Sequence, residues 1–274
     1  MAPSAFGFHL LPGLAVLTDC PELMGHFPLV STNVNDGSLP GAVIRFVEPS
    51  PQPAVPPEDG ISLLAAAEPQ LGWRRIRNSF PPDIALTGCE PMFRARAAET
   101  AFRLAALLHV HHHGGLLLHA AGLSDGTGAF VCLAPSGGGK STLTDLAHGY
   151  DSLSDETVAV IPDSQHGLWQ AWGTTFRSSA RKAPVSPRKF PLKGFLILEK
   201  SPVPEAVHAS PEILARVLLG QAYADAPTFS GGRPEQFRKA AALSRTIPAF
   251  RFRFPKESGP TVDLLKQLFV HAAR

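Results

Sequence analysis

Cysteine is scarce in this 274-residue chain: Cys20, Cys89 and Cys132 lie far apart with no CxxC pair. That argues against a disulfide framework or a structural zinc site and fits a reducing, cytoplasmic setting. An excess of either charge is also missing. The 25 Lys and Arg nearly balance 23 Asp and Glu, for a net charge of +2. The chain therefore offers no polycationic surface for nucleic acid and no charge-driven disorder. Long apolar runs are lacking too. The opening stretch MAPSAFGFHLLPGLAVLTDC has no basic n-region, and His9 and Pro12 interrupt it, so neither a signal peptide nor a membrane anchor is read there. What remains, 44% apolar residues in an ordinary globular composition, is enough for one large domain or for two.

Strand-like runs, AFGFHLL, GLAVLT and GAVIRFV, fill residues 5 to 47 between turn-forming segments, which makes this part β-rich. The prolines of Glu48 to Gly60 exclude regular structure and predict a loop or stiff linker. A helix is expected from Pro91 to His112, stopped by Gly114 and Gly115. Beyond it, GGLLLHAAGLSDGTGAFVCLA reads as two strands joined by a turn at Ser124 to Gly128. DSLSDETVAVIPD reads as a strand interrupted near Ser154 to Glu156, and GFLILEK, residues 194 to 200, as a buried strand. Ser210 and Pro211 predict a helix N-cap and first position. Helices are also expected from Pro234 and from about Pro260, with PAFRFRFP an alternating, half-buried strand between them. The division expected is a β-rich accessory region over 1–90 and an α/β catalytic domain over 91–274.

The most informative stretch is Ala134, Pro135, Ser136, Gly137, Gly138, Gly139, Lys140, Ser141. It follows the phosphate-binding pattern G-x-x-x-x-G-K-[ST] with Ala in the first place. Three glycines let consecutive backbone N–H groups converge on phosphate oxygens, and the Lys140 ammonium can reach the outer phosphates. The expected nucleotide contacts are Ser136, Gly137, Gly138, Gly139, Lys140, Ser141 and Thr142, with Ser141 as a Mg²⁺ ligand. The bland alternative is a flexible turn before a capped helix.

Two further stretches choose among the machines such a loop can serve: His119 in LLLHAAGL, and the pair Asp155 and Glu156 in LSDETVAV. The order strand-His, turn, strand, phosphate loop, helix, strand ending in an acidic pair resembles the HPr serine kinase/phosphorylase family and its shorter relatives. Their fold is similar to phosphoenolpyruvate carboxykinase. The resemblance implies an α/β, P-loop catalytic domain of that type, with ATP and Mg²⁺ as cofactors. It implies Asp155 as the carboxylate that accepts the substrate proton and Glu156 and Asp155 at the metal. His119 has an active-site role by that matching spacing, or is a satisfied core residue. Transfer to a serine hydroxyl on a peptide or small protein follows from the shorter relatives, and homo-oligomers from the family at large. The chemistry agrees independently, since phosphoryl transfer needs charge neutralisation and a carboxylate near the attacking hydroxyl. The family's second glycine-rich signature is absent. In its place stands GTTFRSSARKAPVSPRKFPLK, whose Arg177, Arg181 and Lys182, followed by Arg188, Lys189 and Lys193, could contact phosphate or an acidic peptide, or form a solvated face.

Three alternatives are carried alongside the kinase. A non-catalytic nucleotide sensor would keep Lys140 and Ser141 and would not need Asp155, and a small-molecule kinase would use a free hydroxyl. A transporter-type ATPase is favoured by FSGGRPEQ from Phe229 and opposed by TIPAFRFRFP, which carries no carboxylate where that class ends a strand in Asp-Glu. The histidines of HVHHH, His109 and His111 to His113, read as an exposed helix end rather than a metal site.

Overall fold

The computed structural model describes residues 6–18, 41–47, 60–65, 73–77, 83–87, 91–177, 188–223 and 232–271. The chain divides into two compact units, Met1–His109 and Val110–Arg274. In the first, strands β1 (Phe6–Leu11), β2 (Leu14–Thr18), β3 (Gly41–Val47), β4 (Gly60–Ala65), β5 (Trp73–Arg77) and β6 (Asp83–Thr87) form one sheet in the order β1-β2-β3-β6-β5-β4. Pro12 and Gly13 make the tight turn between β1 and β2, with Gly13 at φ +77, the left-handed position a glycine supplies without steric cost. The proline-rich segment lies outside the described residues except for Gly60. A 3-10 turn at Pro91–Phe93 leads into α1 (Arg94–His112), whose Ala97, Ala98, Ala101, Phe102, Ala105 and Ala106 are buried. No helix among the described residues is long and apolar enough to cross a membrane.

The second unit is a mixed α/β structure built on a curled nine-stranded sheet. Its elements are β7 (Leu116–Leu118), β8 (Ala120–Ser124), β9 (Ala129–Leu133), α2 (Lys140–Leu146), β10 (Asp151–Ser154), β11 (Val158–Asp163), β12 (Leu168–Gly173) and β13 (Lys189–Lys200). They continue with β14 (Glu205–His208), α3 (Pro211–Gln221), α4 (Gly232–Thr246), β15 (Ala249–Phe254) and α5 (Ser258–His271). Strand β13 belongs to both limbs of the curl. Its first residues pair antiparallel with β12, in the limb that continues through β11 to β7. Its last residues lie parallel to both β9 and β15 in the other limb, which runs β10-β8-β9-β13-β15-β14. The change of direction falls at a register shift between Leu192 and Gly194. Pro191, with no N–H to give, stands just before it. A Cβ at Gly194 would lie 2.6 Å from the Phe130 ring, so only glycine fits there.

Two apolar layers hold the sheet. One face buries Val131 and Leu133 of the loop strand, with Leu153, Val160 and Phe195, against Leu214 and Leu218 of α3 and Leu243 of α4. The other buries Phe130, Cys132, Leu196, Phe252 and Phe254 against Leu143 of α2 and Leu265 and Phe269 of α5. Residues of one strand thus serve opposite layers in alternation, as the two-residue period of a strand requires.

Several expectations shift by a few residues or by an element. The run LLLHAAGLS is two strands broken at His119 rather than one. The strand expected at 194–200 begins at Lys189, and α4 and α5 start at Gly232 and Ser258, ahead of their prolines. Ser210 caps α3 as its sequence predicts, its Oγ accepting from Ile213 N at 3.5 Å. Neither β12 nor β14 was expected, because LWQAWG and EAVH carry no clear alternation.

The histidines at the end of α1 do not behave alike. His112 and His113 are exposed, but His109 is 3% exposed, against the expectation of a solvated cluster. His111 Nδ1 lies 3.3 Å from Lys239 Nζ, which also donates to Gly115 O at 3.3 Å. Among the described residues no group of three or more His, Cys, Asp or Glu could hold a metal ion. Burial first, and then the Lys239 charge, push His111 down from 6.5 to about 4, with Glu235 opposing. Because the folded protein resists that proton and the unfolded chain accepts it, His111 contributes stability that is present above pH 6.5 and lost as pH falls toward about 4. Denaturant midpoints across this window should show a shallower acid loss for His111→Gln than for the parent.

Candidate functional site

Strand β9 delivers Leu133 to the loop, which turns at Gly137 (φ +72) and Gly139 (φ +104) before α2 begins at Lys140. Both angles lie where side chains with a Cβ are strained. Gly138 is required for space: a Cβ there would stand 2.7 Å from Ala134 Cβ and 2.9 Å from Pro135 O. The alanine in place of the pattern's first glycine is therefore accommodated by the glycine opposite it. Gly138 N donates to Pro135 O at 2.9 Å. Since α2 is only seven residues long, any pull on anionic oxygens here comes from Lys140 and the loop amides rather than from a long helix dipole. Ser136 and Gly137 are exposed, Ser141 is exposed and Thr142 half-buried.

Lys140 is buried, and its Nζ donates to Ala134 O at 2.6 Å and to Pro135 O at 3.4 Å. Burial holds its ammonium below the ordinary lysine range, and the Glu156 charge opposes that fall. Lysine and acidic turn are therefore electrostatic neighbours.

The acidic turn lies at the seam where the sheet changes limb. Apart from the passage within β13, the chain moves from one limb to the other at His119 between β7 and β8 and at residues 155–157 between β10 and β11. Both crossings lie beside the loop strand: Ala120 is in register with Leu133, and Ala120 N donates to Glu156 O at 3.0 Å. Crossing residues lose their ladder partners, so other groups must satisfy them. Ser154 Oγ donates to Phe176 O at 2.8 Å and accepts from Glu156 N at 3.1 Å and Thr157 N at 3.0 Å. His119 N donates to Gln221 O at 2.7 Å. Asp155 is 4% exposed and Glu156 half-buried, so the pair is not a solvated strand end. Ser154→Ala would strand two amides and a carbonyl. It should cost about 3 kcal/mol in denaturant unfolding, from the price of buried groups left unpaired.

His119 is half-buried. Its Nδ1 lies 3.4 Å from the Tyr223 hydroxyl, which is 3.2 Å from Thr157 Oγ1. With its amide nitrogen turned to the two carbonyls it faces, Gln221 donates to His119 O at 2.9 Å and to Ala134 O at 3.0 Å. Ala134 O thus receives both Gln221 and Lys140. Gln221 and Tyr223 fasten the loop to the histidine and the acidic turn, although they come from the far end of α3. Sequence reading does not single them out, and the only local signal is their place just after an amphipathic helix.

Only part of the basic stretch lies among the described residues. Arg177 is half-buried, while Arg181 and Lys182 lie outside the described residues. Arg188 pairs with Asp151, Lys189 lies over the Trp172 ring, and Lys193 Nζ donates to Asp125 Oδ2 at 3.1 Å. Those three cations serve the strands' own packing.

Fold and site together define a mixed α/β protein with a strand, a glycine-rich loop and a lysine-led helix facing a buried acidic turn. Residues 100–259 match the family described as SynChlorMet cassette protein ScmC, and the chain belongs to that family. No curated protein matches the chain.

Proposed function

We propose that this chain is an ATP- and Mg²⁺-dependent kinase of the HPr-kinase-like type, which transfers the γ-phosphoryl group to a serine hydroxyl of a peptide or small protein. The observation that carries the reading is an acidic turn set beside the loop strand: Ala120, in register with Leu133, donates to Glu156 O at 3.0 Å, the Glu156 charge opposes the fall of the Lys140 ammonium, and Asp155, next to Glu156 in the chain, is buried. A loop that bound phosphate without a metal ion would gain nothing from carboxylates at its edge, since they repel the ligand. A transfer site needs one to take the acceptor's proton.

The residues present fit a nucleotide's phosphates. Gly137 and Gly139 supply amides at the turn, Gly138 closes it with its amide on Pro135 O, and Lys140 can exchange its loop carbonyls for phosphate oxygens. Ser141 and Glu156, with Asp155, are the groups that would hold Mg²⁺, whose charge would offset that of the phosphates. In the transfer, Asp155 takes the proton from the serine hydroxyl as its oxygen bonds to the γ-phosphorus. The bond from that phosphorus to the β-bridging oxygen breaks, and the electron pair leaves with ADP. Lys140 stabilises the charge that gathers on the phosphoryl oxygens. His119, held near Tyr223, orients the acceptor side of the turn.

Incubation with γ-labelled ATP, Mg²⁺ and a panel of serine peptides, the HPr phosphocarrier and free serine tests this. Label should move to a peptide or protein acceptor. Label on free serine alone would make it a small-molecule kinase, and ATP binding with no transfer a sensor.

A further inference from the structure

A cavity of about 500 Å³ opens on the other side of the loop from the acidic turn, lined by Thr142, Lys200, Pro202, Phe254, Lys256 and Glu257. We infer that it holds the nucleoside, ribose and base, of the nucleotide whose phosphates lie on the loop; the inference rests on the nucleotide-binding reading above.

Position is the first argument. Strands β9, β13 and β15 run parallel, with Ile197 opposite Leu133 and Lys200 opposite Phe254, so their carboxyl ends share one edge. Crevices at such edges are where open α/β sheets take ligands. In the order β10-β8-β9-β13-β15, the acidic turn follows β10 and the cavity lies past β13 and β15. A nucleotide laid across the loop would therefore point its terminal phosphate toward the carboxylates and its nucleoside into the cavity.

Continuity with the loop is the second. A Cβ at Gly139 would lie 3.0 Å from Phe254 Cζ and 3.9 Å from Lys200 Cε. Gly139 is thus a shared wall of the loop and the cavity, and Thr142 stands one helical step further along the same rim. The volume falls within the range of small-ligand pockets.

The lining chemistry is the third. Nearby on the sheet, Arg253 pairs with Glu199 at 3.0 Å and with Glu205 at 2.8 Å. Lys200, Lys256 and the Glu257 carboxylate have no such partner among the described residues. Lys200, nearest the loop, suits the α-phosphate or ribose. Glu257 can accept from an exocyclic amine or a ribose hydroxyl, and Pro202 and Phe254 give an apolar floor for a base.

Calorimetric titration with ATP and with tripolyphosphate, both with Mg²⁺, separates the cavity from the loop. The parent protein should bind ATP at least about tenfold more tightly than tripolyphosphate. Ser201→Trp, which enlarges a further residue of the cavity lining, should abolish that advantage and leave tripolyphosphate binding unchanged. Should Ser201→Trp lose tripolyphosphate binding as well, the decision passes to the double variant Lys256→Ala/Glu257→Ala at exposed positions, which must narrow the ATP advantage without weakening tripolyphosphate. Equal affinity of the parent for both ligands, or full ATP affinity in the filled or double variant, overturns the cavity assignment alone. Failure of the parent to bind either ligand overturns the nucleotide reading and the assignment with it.

Discussion

Lys140→Met should bind ATP at least about a hundredfold more weakly than the parent protein, the scale expected when a charge-assisted contact to phosphate is lost from a buried position. Methionine preserves the unbranched apolar stem that α2 buries, so thermal unfolding should move little while binding collapses. The Lys140 ammonium is held to Ala134 O and Pro135 O by hydrogen bonds and kept below its usual pKa range by burial. It is therefore already stripped of much of its water before any anion arrives. A cation prepared in that way contributes more to an incoming phosphate than a solvated one, because less hydration remains to be displaced. Titration calorimetry at fixed Mg²⁺ measures the loss. Parent-like affinity in Lys140→Met would remove the lysine from the site and with it the kinase reading.

Asp155→Asn should leave ATP affinity within about twofold and lower the transfer rate by about a thousandfold, within the range that a positioned general base contributes. The amide matches the carboxylate in shape and cannot take the serine proton. Asp155 is 4% exposed, and its turn is fixed by the three hydrogen bonds of Ser154 Oγ. A change at that side chain should therefore be read in chemistry before it is read in structure. Single-turnover transfer from labelled ATP, with binding measured on the same sample, separates the two effects. Unchanged turnover would assign the base elsewhere.

Local chemistry made a large part of this architecture legible in the sequence. Glycine spacing with a following Lys-Ser marks the loop, Ser210 and Pro211 mark the start of α3, and the Phe and Arg alternation marks β15. Those signals lie within a few residues of what they specify. The seam does not. LLLHAAGLS has no breaker where it divides, its Gly122 lying inside β8, and its split at His119 comes from partners far away, Gln221 and Glu156, which take over the ladder's hydrogen bonds. In the same way, the cations near Lys189 and Lys193 could be counted in the sequence, but Asp125, Asp151 and the Trp172 ring, which occupy them, could not be paired with them. The acidic pair was visible as residues, and its burial was not, because burial follows from strands crossing between limbs of the sheet.

Strand β13, shared by both limbs, also bears on how the chain folds. Its neighbours β9 and β12 precede it, but β15 is supplied only after α3 and α4 have been made. Both parallel pairings of β13 are non-local, and such contacts are slow to form because the intervening chain must first be closed into a loop. During synthesis the loop strand and the lysine exist well before the Phe254 ring that abuts Gly139. A nascent chain ended before Ala249 should leave the β13 amides that face β15 open to rapid hydrogen exchange, whereas in the finished protein they should be among the slowest to exchange. The site would then mature in one late step, when the last strand docks.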